Sequence, residues 1–284
     1  MSSEEPLREF ELTAGDFRRV QALIKARVGI DLGTNKQSLV YGRLARRLRA
    51  LGMQHFADYL SLVEDPSSDE AERFVNAITT NVTEFFRENH HFEFLANTVL
   101  PAIWRRTGPG GQRVRFWSAG CSTGEEPYSL AMILRENPPP ASNAGSWDIK
   151  ILATDLDTDV LAHASAGIYP AERVEKMSAG RLKRFFTGSR AGGGYQAGAE
   201  IRSLITFKQL NLMDPWPMQG PFDVIFCRNV VIYFDDTTKR ALVQRYRQIL
   251  GVGGHLFMGH SESMVASASG FEPCGRTVYR RGAR

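Results

Sequence analysis

Along the first eighty residues, apolar positions recur in a helical rhythm. Phe17, Val20, Leu23, Ile24 and Val28 are spaced by three and four, which puts them on one face of a helix. Thr13-Ala14-Gly15-Asp16 has the form of a capping box ahead of that run, and Gly29 ends it. A second helix is predicted over 36–51, with Val40, Leu44, Leu48 and Leu51 as its apolar stripe. At about 100° per residue, Arg43, Arg46 and Arg49 fall away from that stripe and Arg47 lies at its border. Shorter helices are expected over 56–63 and 69–78, so residues 1–92 read as an all-α domain.

Beyond residue 110 the rhythm changes. Short apolar runs over 114–117, 149–155, 205–210, 222–229, 255–258 and 277–280 alternate with helical patterns over 127–134, 158–166 and 237–250. That alternation predicts an α/β fold, a Rossmann-like doubly wound sheet with an antiparallel edge, occupying 111–284. Residues 93–110, ending in Gly108-Pro109-Gly110-Gly111, read as a linker. Gly188, Gly192, Gly193, Gly194 and Gly198 crowd one stretch, and about 183–207 is expected to form a small inserted antiparallel β-subdomain.

The chemistry concentrates where the first strand turns into a helix. In Ser118-Ala119-Gly120-Cys121-Ser122-Thr123-Gly124-Glu125-Glu126-Pro127, Gly120 and Gly124 let the backbone turn and approach a ligand, as in a nucleotide-binding sheet. Glu125 and Glu126 stand where such a fold would place a phosphate, and they would repel one. No Lys-Ser/Thr follows Gly124, so a P-loop is excluded. An adenosine ligand without phosphate and with cationic groups fits instead, which points to S-adenosylmethionine. Asp155, at the end of the second strand, is placed to accept ribose hydroxyls, and Asp157 or Thr158 can cap the following helix. Asn211 and Leu212 follow another strand and can meet an adenine edge, while Asn81, Thr83 and Arg87 flank the anchoring pair Phe85 and Phe86.

Composition adds bounds. With 284 residues and 43% apolar content the chain is long enough for two domains. No apolar run approaches the roughly 18 residues of a membrane span, and Met1-Ser2-Ser3-Glu4-Glu5 lacks signal-peptide character, so a cytoplasmic protein without membrane insertion is expected. Cys121, Cys227 and Cys274 are odd in number and scattered, which indicates neither disulfides nor a zinc ribbon, and Cys121 reads as a space-filling residue. His90 and His91 would point about 100° apart on a helix and make a poor metal pair, so no metal is expected. The net charge of +4 is mild, but the five cationic residues from Lys36 to Gly52 have no acid among them. Such an unpaired face suits an acidic protein surface or RNA phosphates.

Thr80-Asn81-Val82-Thr83-Glu84-Phe85-Phe86-Arg87, Ser122-Thr123-Gly124-Glu125-Glu126-Pro127-Tyr128-Ser129, Ala153-Thr154-Asp155, Phe226-Cys227-Arg228-Asn229-Val230-Val231-Ile232-Tyr233-Phe234 and Gly259-His260-Ser261-Glu262-Ser263 occur together and in order. Taken together they resemble the bacterial chemotaxis receptor methyltransferases, the CheR family. The resemblance implies methylation of glutamates on the cytoplasmic helices of methyl-accepting chemoreceptors, with S-adenosyl-L-methionine as donor and S-adenosyl-L-homocysteine as product, in a monomer recruited to receptor arrays. It implies that Asn81, Thr83, Arg87, Glu125, Asp155, Asn211, Leu212, Arg228 and Asn229 contact the cofactor, beside Gly120, where the turn already predicts close approach. Arg87 and Tyr233 are expected to position the acceptor carboxylate, and Arg43, Arg46 and Arg49 to dock the receptor. The β-subdomain matches one that grips a receptor's C-terminal tail peptide in some members. From the residues alone, an RNA or other protein methyltransferase and a non-catalytic nucleotide-sensing module stay open.

Overall fold

The structure, a computed structural model, describes residues 9–106, 113–140, 147–189, 193–262 and 270–283. Gly108 to Gly111, Gly192 and Ser263 therefore lie outside the described residues. The chain forms two compact units, residues 1–80 with Tyr233–Asp235, and residues 81–232 with 236–284.

The first unit contains the helices Ala14–Val28, Gln37–Leu51, Phe56–Glu64 and Glu70–Ile78. The capping box forms: the Thr13 hydroxyl accepts the Asp16 N–H at 3.0 Å, and the Asp16 carboxylate accepts the Thr13 N–H at 3.1 Å. Phe17, Val20, Ile24 and Val28 are buried, as are Val40, Leu44 and Leu48. Leu51 departs from the expected stripe and is exposed, as the last helical residue before the left-handed Gly52. Tyr233–Asp235 adds the end of a 3-10 turn and a single bridging residue, Phe234. Ile30 bridges Phe234, the Asp31 N–H donates to the Tyr233 carbonyl at 2.8 Å, and Lys25 pairs with Asp235 at 3.1 Å.

The arginine helix is not unpaired. Its acids come from elsewhere in the chain. Arg47 forms a fork with the buried Glu70, 2.8 Å on both sides, and the same carboxylate accepts the Tyr59 hydroxyl at 3.1 Å. Arg43 turns inward and donates to the Ile78 carbonyl, to the Thr79 carbonyl at 2.7 Å and to the Thr80 hydroxyl at 3.0 Å, closing the C-terminus of the Glu70–Ile78 helix. Arg49 meets Glu9 at 2.7 Å with both partners about half exposed. Arg46 is exposed. The expected face of Arg43, Arg46 and Arg49 thus reduces to Arg46 and Arg49.

The second unit is built on a seven-stranded sheet. Its strands are β1 (Arg113–Ala119), β2 (Asp148–Asp155), β6 (Ile205–Gln209), β7 (Phe222–Cys227), β8 (Leu250–Met258), β9 (Phe271–Gly275) and β10 (Val278–Arg281). Their order is β6-β2-β1-β7-β8-β10-β9; the first five are parallel, and β10 and β9 are antiparallel additions. This is the expected doubly wound sheet with an antiparallel edge. A three-stranded antiparallel sheet is made by β3 (Ile168–Tyr169), β5 (Tyr195–Ala197) and β4 (Phe186–Gly188).

Two expected boundaries shift. The small sheet draws on Ile168–Tyr169 rather than on 201–207, and Ile205–Gln209 pairs with β2 as an edge of the large sheet. Its half-buried Ile205 and Phe207 alternate with exposed residues, the pattern that an edge strand shares with a surface hairpin. The stretch read as a linker over 93–110 is largely helical: His90–Phe94, Leu95–Val99 and Leu100–Trp104 run on without a break. A wide π turn at Leu95–Val99 precedes Pro101, which has no N–H for an ordinary helical bond. Phe92, Leu95, Val99, Leu100 and Ile103 are buried in the sheet's core.

Glu70→Ala should leave Arg47 and Tyr59 without their partner and destabilise the helical unit by about 3 kcal/mol, read from the midpoint of urea unfolding. A loss under about 0.5 kcal/mol would mean that the fork is not structural.

Candidate active site

β1 is the first strand laid down at the centre of the sheet; β2 and β6 extend it on one side, β7 and β8 on the other. The crevice at such a reversal, outside the C-terminal ends of the strands, is where this architecture binds ligands. Gly120 follows β1, Asp155 ends β2, Asn211 and Leu212 follow β6, and Arg228 and Asn229 follow β7. These sequence-predicted residues therefore meet at one edge of four adjacent parallel strands.

The loop after β1 is held close against its neighbours. The N–H groups of Gly120 and Cys121 both donate to the Thr154 carbonyl, at 2.8 and 2.9 Å. Gly120 has φ +84°, and a Cβ there would lie 2.3 Å from Val230, so only glycine fits. Gly124 precedes the helix Glu125–Glu136 at φ +98°.

The two glutamates that open this helix do different things. Glu126 is buried, accepts the Ser118 hydroxyl at 2.7 Å and pairs with Arg228 at 3.1 Å. Burial pushes its carboxyl up, and Arg228 and Ser118 offset this only in part. Glu125 is 1% exposed, accepts the Thr123 hydroxyl at 2.6 Å and faces Arg173 at 3.7 Å.

Asp155 accepts the Ser122 N–H at 2.7 Å on one oxygen and the Asp157 N–H at 3.1 Å on the other. Burial pushes its carboxyl above the usual range while those N–H groups pull it back. Asp157 caps the helix Thr158–Ala166, accepting the Asp159 and Val160 N–H groups, as expected. Asn211 accepts the Met213 N–H at 3.0 Å, and the Leu212 carbonyl accepts the Trp216 indole at 3.3 Å.

Residues 81–89 form an irregular turn rather than a helix. Asn81 donates to Asp157 at 2.8 Å, its carbonyl accepts the Ser122 hydroxyl at 3.1 Å, and the Phe86 N–H donates to Ser129 at 3.0 Å. The Thr83 carbonyl accepts Arg173 at 2.9 Å. Arg87 donates to the Val82 carbonyl at 2.8 Å and is half-buried. Arg228 is 6% exposed and also reaches Glu88 at 3.8 Å and the Arg87 carbonyl, so its guanidinium binds the turn to the sheet. Tyr233 belongs to the helical unit with Arg43, Arg46 and Arg49, whereas Arg87 belongs to the sheet unit.

Five non-glycine residues among those described have positive φ, and four of them lie here: Phe86, Glu88, Ser122 and Asn229. Strain concentrated in this way marks a functional site. The Cys121 thiol is buried and pushed well above its usual range, consistent with a packing residue. His91 is buried with its ring against Thr277 at 2.7 Å, and burial reinforced by the Arg228 charge holds it down to about 2.

Sequence reasoning assigned no role to Arg173 or Glu262. Arg173 sits in Ala171-Glu172-Arg173-Val174, where nothing local marks it. Glu262 accepts the N–H groups of Asn229 at 3.0 Å, Gly259 at 2.7 Å and Ile232 at 3.3 Å. An acid just past the apolar strand β8 is the signal that could have revealed it.

Residues 81–280 match the family described as CheR methyltransferase, SAM binding domain, and residues 15–79 match CheR methyltransferase, all-alpha domain. A probable chemotaxis protein methyltransferase of Rhizobium etli is 45% identical over 91% of this chain and 96% of its own length. Chemotaxis protein methyltransferase 2 of Pseudomonas aeruginosa is 44% identical over 96% of this chain and 95% of its own. The chemotaxis protein methyltransferase of Escherichia coli is 43% identical over 94% and 91%.

Burial raises the Asp155, Glu126 and Glu262 carboxyls, so their folded pKa values exceed the unfolded ones, which lie near 4. Their contribution to stability is complete below the unfolded value and is lost as pH rises through the raised folded value. The unfolding free energy of the wild type relative to Glu262→Gln should therefore fall as pH rises from about 4 toward about 7, measured by urea unfolding across that range. A difference that grows with pH would show that the fold favours the ionised carboxylate.

Proposed function

The chain belongs to the CheR methyltransferase family, and from that premise we propose how its residues serve the reaction. It is an S-adenosylmethionine-dependent protein-glutamate O-methyltransferase acting on chemoreceptors, giving glutamate methyl esters and S-adenosylhomocysteine. The observation that carries the reading is the conjunction at the central strand ends of a ribose-type acceptor, Asp155, with glutamates where a phosphate would otherwise sit.

The donor fits the residues present. The Asp155 carboxylate accepts backbone N–H groups from Ser122, Asp157 and Leu156, and a carboxylate's roughly four acceptor sites leave room for a ribose hydroxyl. Asn211 and the backbone at Leu212 would hold the adenine, Gly120 would let the donor approach the backbone closely, and Asn81, Thr83, Glu125 and Asn229 would line the rest. Arg228, committed to Glu126, Glu88 and the Arg87 carbonyl, acts by holding that wall in place.

The bound donor supplies an electrophilic methyl on a sulfonium. A glutamate side chain is already ionised at neutral pH, so the reaction needs neither a metal nor a strong base. What remains is placement. Holding the carboxylate in line with the methyl supplies on the order of 7 kcal/mol through proximity and orientation. Excluding water keeps the carboxylate a better nucleophile. Arg87 orients the acceptor, with its guanidinium tied to the Val82 carbonyl so that it does not pair fully with the nucleophile.

Arg46 and Arg49 dock the acidic receptor helices, and the β3-β5-β4 sheet is the place for a receptor tail. The enzyme works as a cytoplasmic monomer at receptor arrays and uses no nucleic acid. No helix among the described residues is long and apolar enough to cross a membrane.

Incubation with methyl-labelled donor and chemoreceptor membranes should give label that alkali releases as methanol. Label that survives alkali would mean an N- or C-methyl product, and donor binding without transfer would mean a sensing module. Arg87→Ala should lower turnover roughly 100-fold at saturating substrates; unchanged turnover would remove it from acceptor positioning. Arg46→Glu should weaken receptor methylation and flatten its salt dependence, because exposed charges steer association through a field that salt screens. Methylation and salt dependence equal to wild type would exclude docking there.

A further inference from the structure

Next to the turn that carries Arg87 is a second group of side chains. One oxygen of Glu88, one ring nitrogen of His90 and one of His260 lie within 4.8 Å of one another. His90 and His260 stand 5.8 Å apart between ring centroids, edge to face, and His260 is about half exposed. Glu88 Oε2 and His90 Nε2 are buried and have no hydrogen-bond partner among the described residues, and His91 Nδ1 beside them has none either.

The protons can be traced. The Thr277 hydroxyl donates to the Arg276 carbonyl at 2.7 Å, so its oxygen must accept from His91 Nε2 at 2.7 Å. With its proton on Nε2, His91 presents a bare lone pair at Nδ1, 3.6 Å from Glu88 Oε2. Two acceptors then face each other across a buried gap. The buried Arg228 guanidinium, at 3.8 Å from Glu88, lies beyond hydrogen-bond range and is engaged by Glu126 and the Arg87 carbonyl. On the open side, His260 Nε2 touches the Arg276 guanidinium, a donor only, which puts the His260 proton on Nδ1, 3.6 Å from Glu88 Oε2.

We propose that Glu88, His90 and His260 form a binding site for one divalent transition-metal ion of the zinc class, with a fourth position open to water on the His260 side. Two imidazoles and one carboxylate suit zinc, cobalt or nickel and offer too few oxygens for calcium or magnesium. Bonds of about 2.1 Å in a tetrahedral site hold ligand atoms roughly 3.4 Å apart, so closure asks for shifts of about 1 Å. The exposed His260 can make them. Glu88 and Glu126 offset Arg228 and Arg276, so the metal adds its charge to a balanced cluster.

This arrangement gives Arg276 a definite part. A His260 ring that ligates through Nδ1 carries its proton on Nε2 and cannot accept from Arg276. The exposed Arg276 must therefore leave, and it competes with the metal. The site does not enter the methyl-transfer steps above; it joins the Glu88–His90 turn to the residue two positions beyond β8.

The experiment is a titration of the chelator-treated full chain with zinc, and with cobalt read by its visible absorption, in the absence of methyl donor. One equivalent should bind at micromolar concentration, with tetrahedral cobalt bands. His260→Ala and His90→Gln should each weaken binding roughly tenfold or more, and Arg276→Gln should tighten it. Zinc should raise the melting temperature of the wild type and not of His260→Ala, whose exposed side chain makes that variant the one expected to fold normally. No one-to-one uptake, equal uptake by His260→Ala, uptake lost only with Cys274→Ser at the exposed thiol, or weaker binding by Arg276→Gln would each overturn the site. Methyl transfer is not the readout, so failure here leaves the proposed function untouched.

Discussion

The ion pair between Glu126 and Arg228 is the constraint on which the site depends. Both side chains are buried, and a buried charge is tolerated only where a partner and further hydrogen bonds compensate for lost water. Glu126 lies in the first turn of the helix after β1, Arg228 follows β7, and the same guanidinium contacts Glu88 and the Arg87 carbonyl. One interaction thereby joins the two strands on either side of the switch point to the irregular turn that bears Arg87. Neither residue can lose the other without stranding a charge, so the two walls of the crevice keep their separation.

That commitment also explains what the crevice selects. The first turn of a helix is a natural phosphate site, because its N–H groups and dipole favour negative charge. Here Glu125 and Glu126 occupy that turn, and their burial leaves no room for a second anion. Burial raises the Glu126 carboxyl, yet Arg228 and Ser118 work against its protonation. A phosphate-free adenosine derivative with cationic groups is the ligand that does not meet this barrier.

Much of this was legible from local pattern. The capping box at Thr13, the glycine turn after β1, the cap at Asp157 and the carboxylate ending β2 each follow from short-range chemistry. What escaped depends on partners far away in sequence. The arginines at 43, 47 and 49 looked unpaired because Glu70, Glu9 and the carbonyls of Ile78 and Thr79 come from other segments. Ile205–Gln209 could not be told from a hairpin strand, since an edge strand alternates in the same way. The helix over His90–Trp104 was hidden by Pro101, which a π turn accommodates. His90 appeared to have only His91 as a possible co-ligand because His260 lies 170 positions on.

A reaction between an activated methyl and an ionised carboxylate asks a protein for rigidity more than for reactive groups. The strained residues show how that rigidity is obtained. Phe86, Ser122 and Asn229 all hold positive φ, and each has its backbone N–H fixed by a side chain: Ser129 at 3.0 Å, Asp155 at 2.7 Å and Glu262 at 3.0 Å. Such conformations cost roughly 1–3 kcal/mol each and persist only where the surroundings over-determine them. The anchors come from rigid elements: Ser129 from the helix after the glycine turn, Asp155 from β2, and Glu262 from the turn after β8. Asp155 shows why the carboxylates serve this purpose well. The oxygen that fixes the Ser122 N–H belongs to the carboxylate proposed to accept a ribose hydroxyl, so in that proposal loop geometry and binding geometry are set by one group.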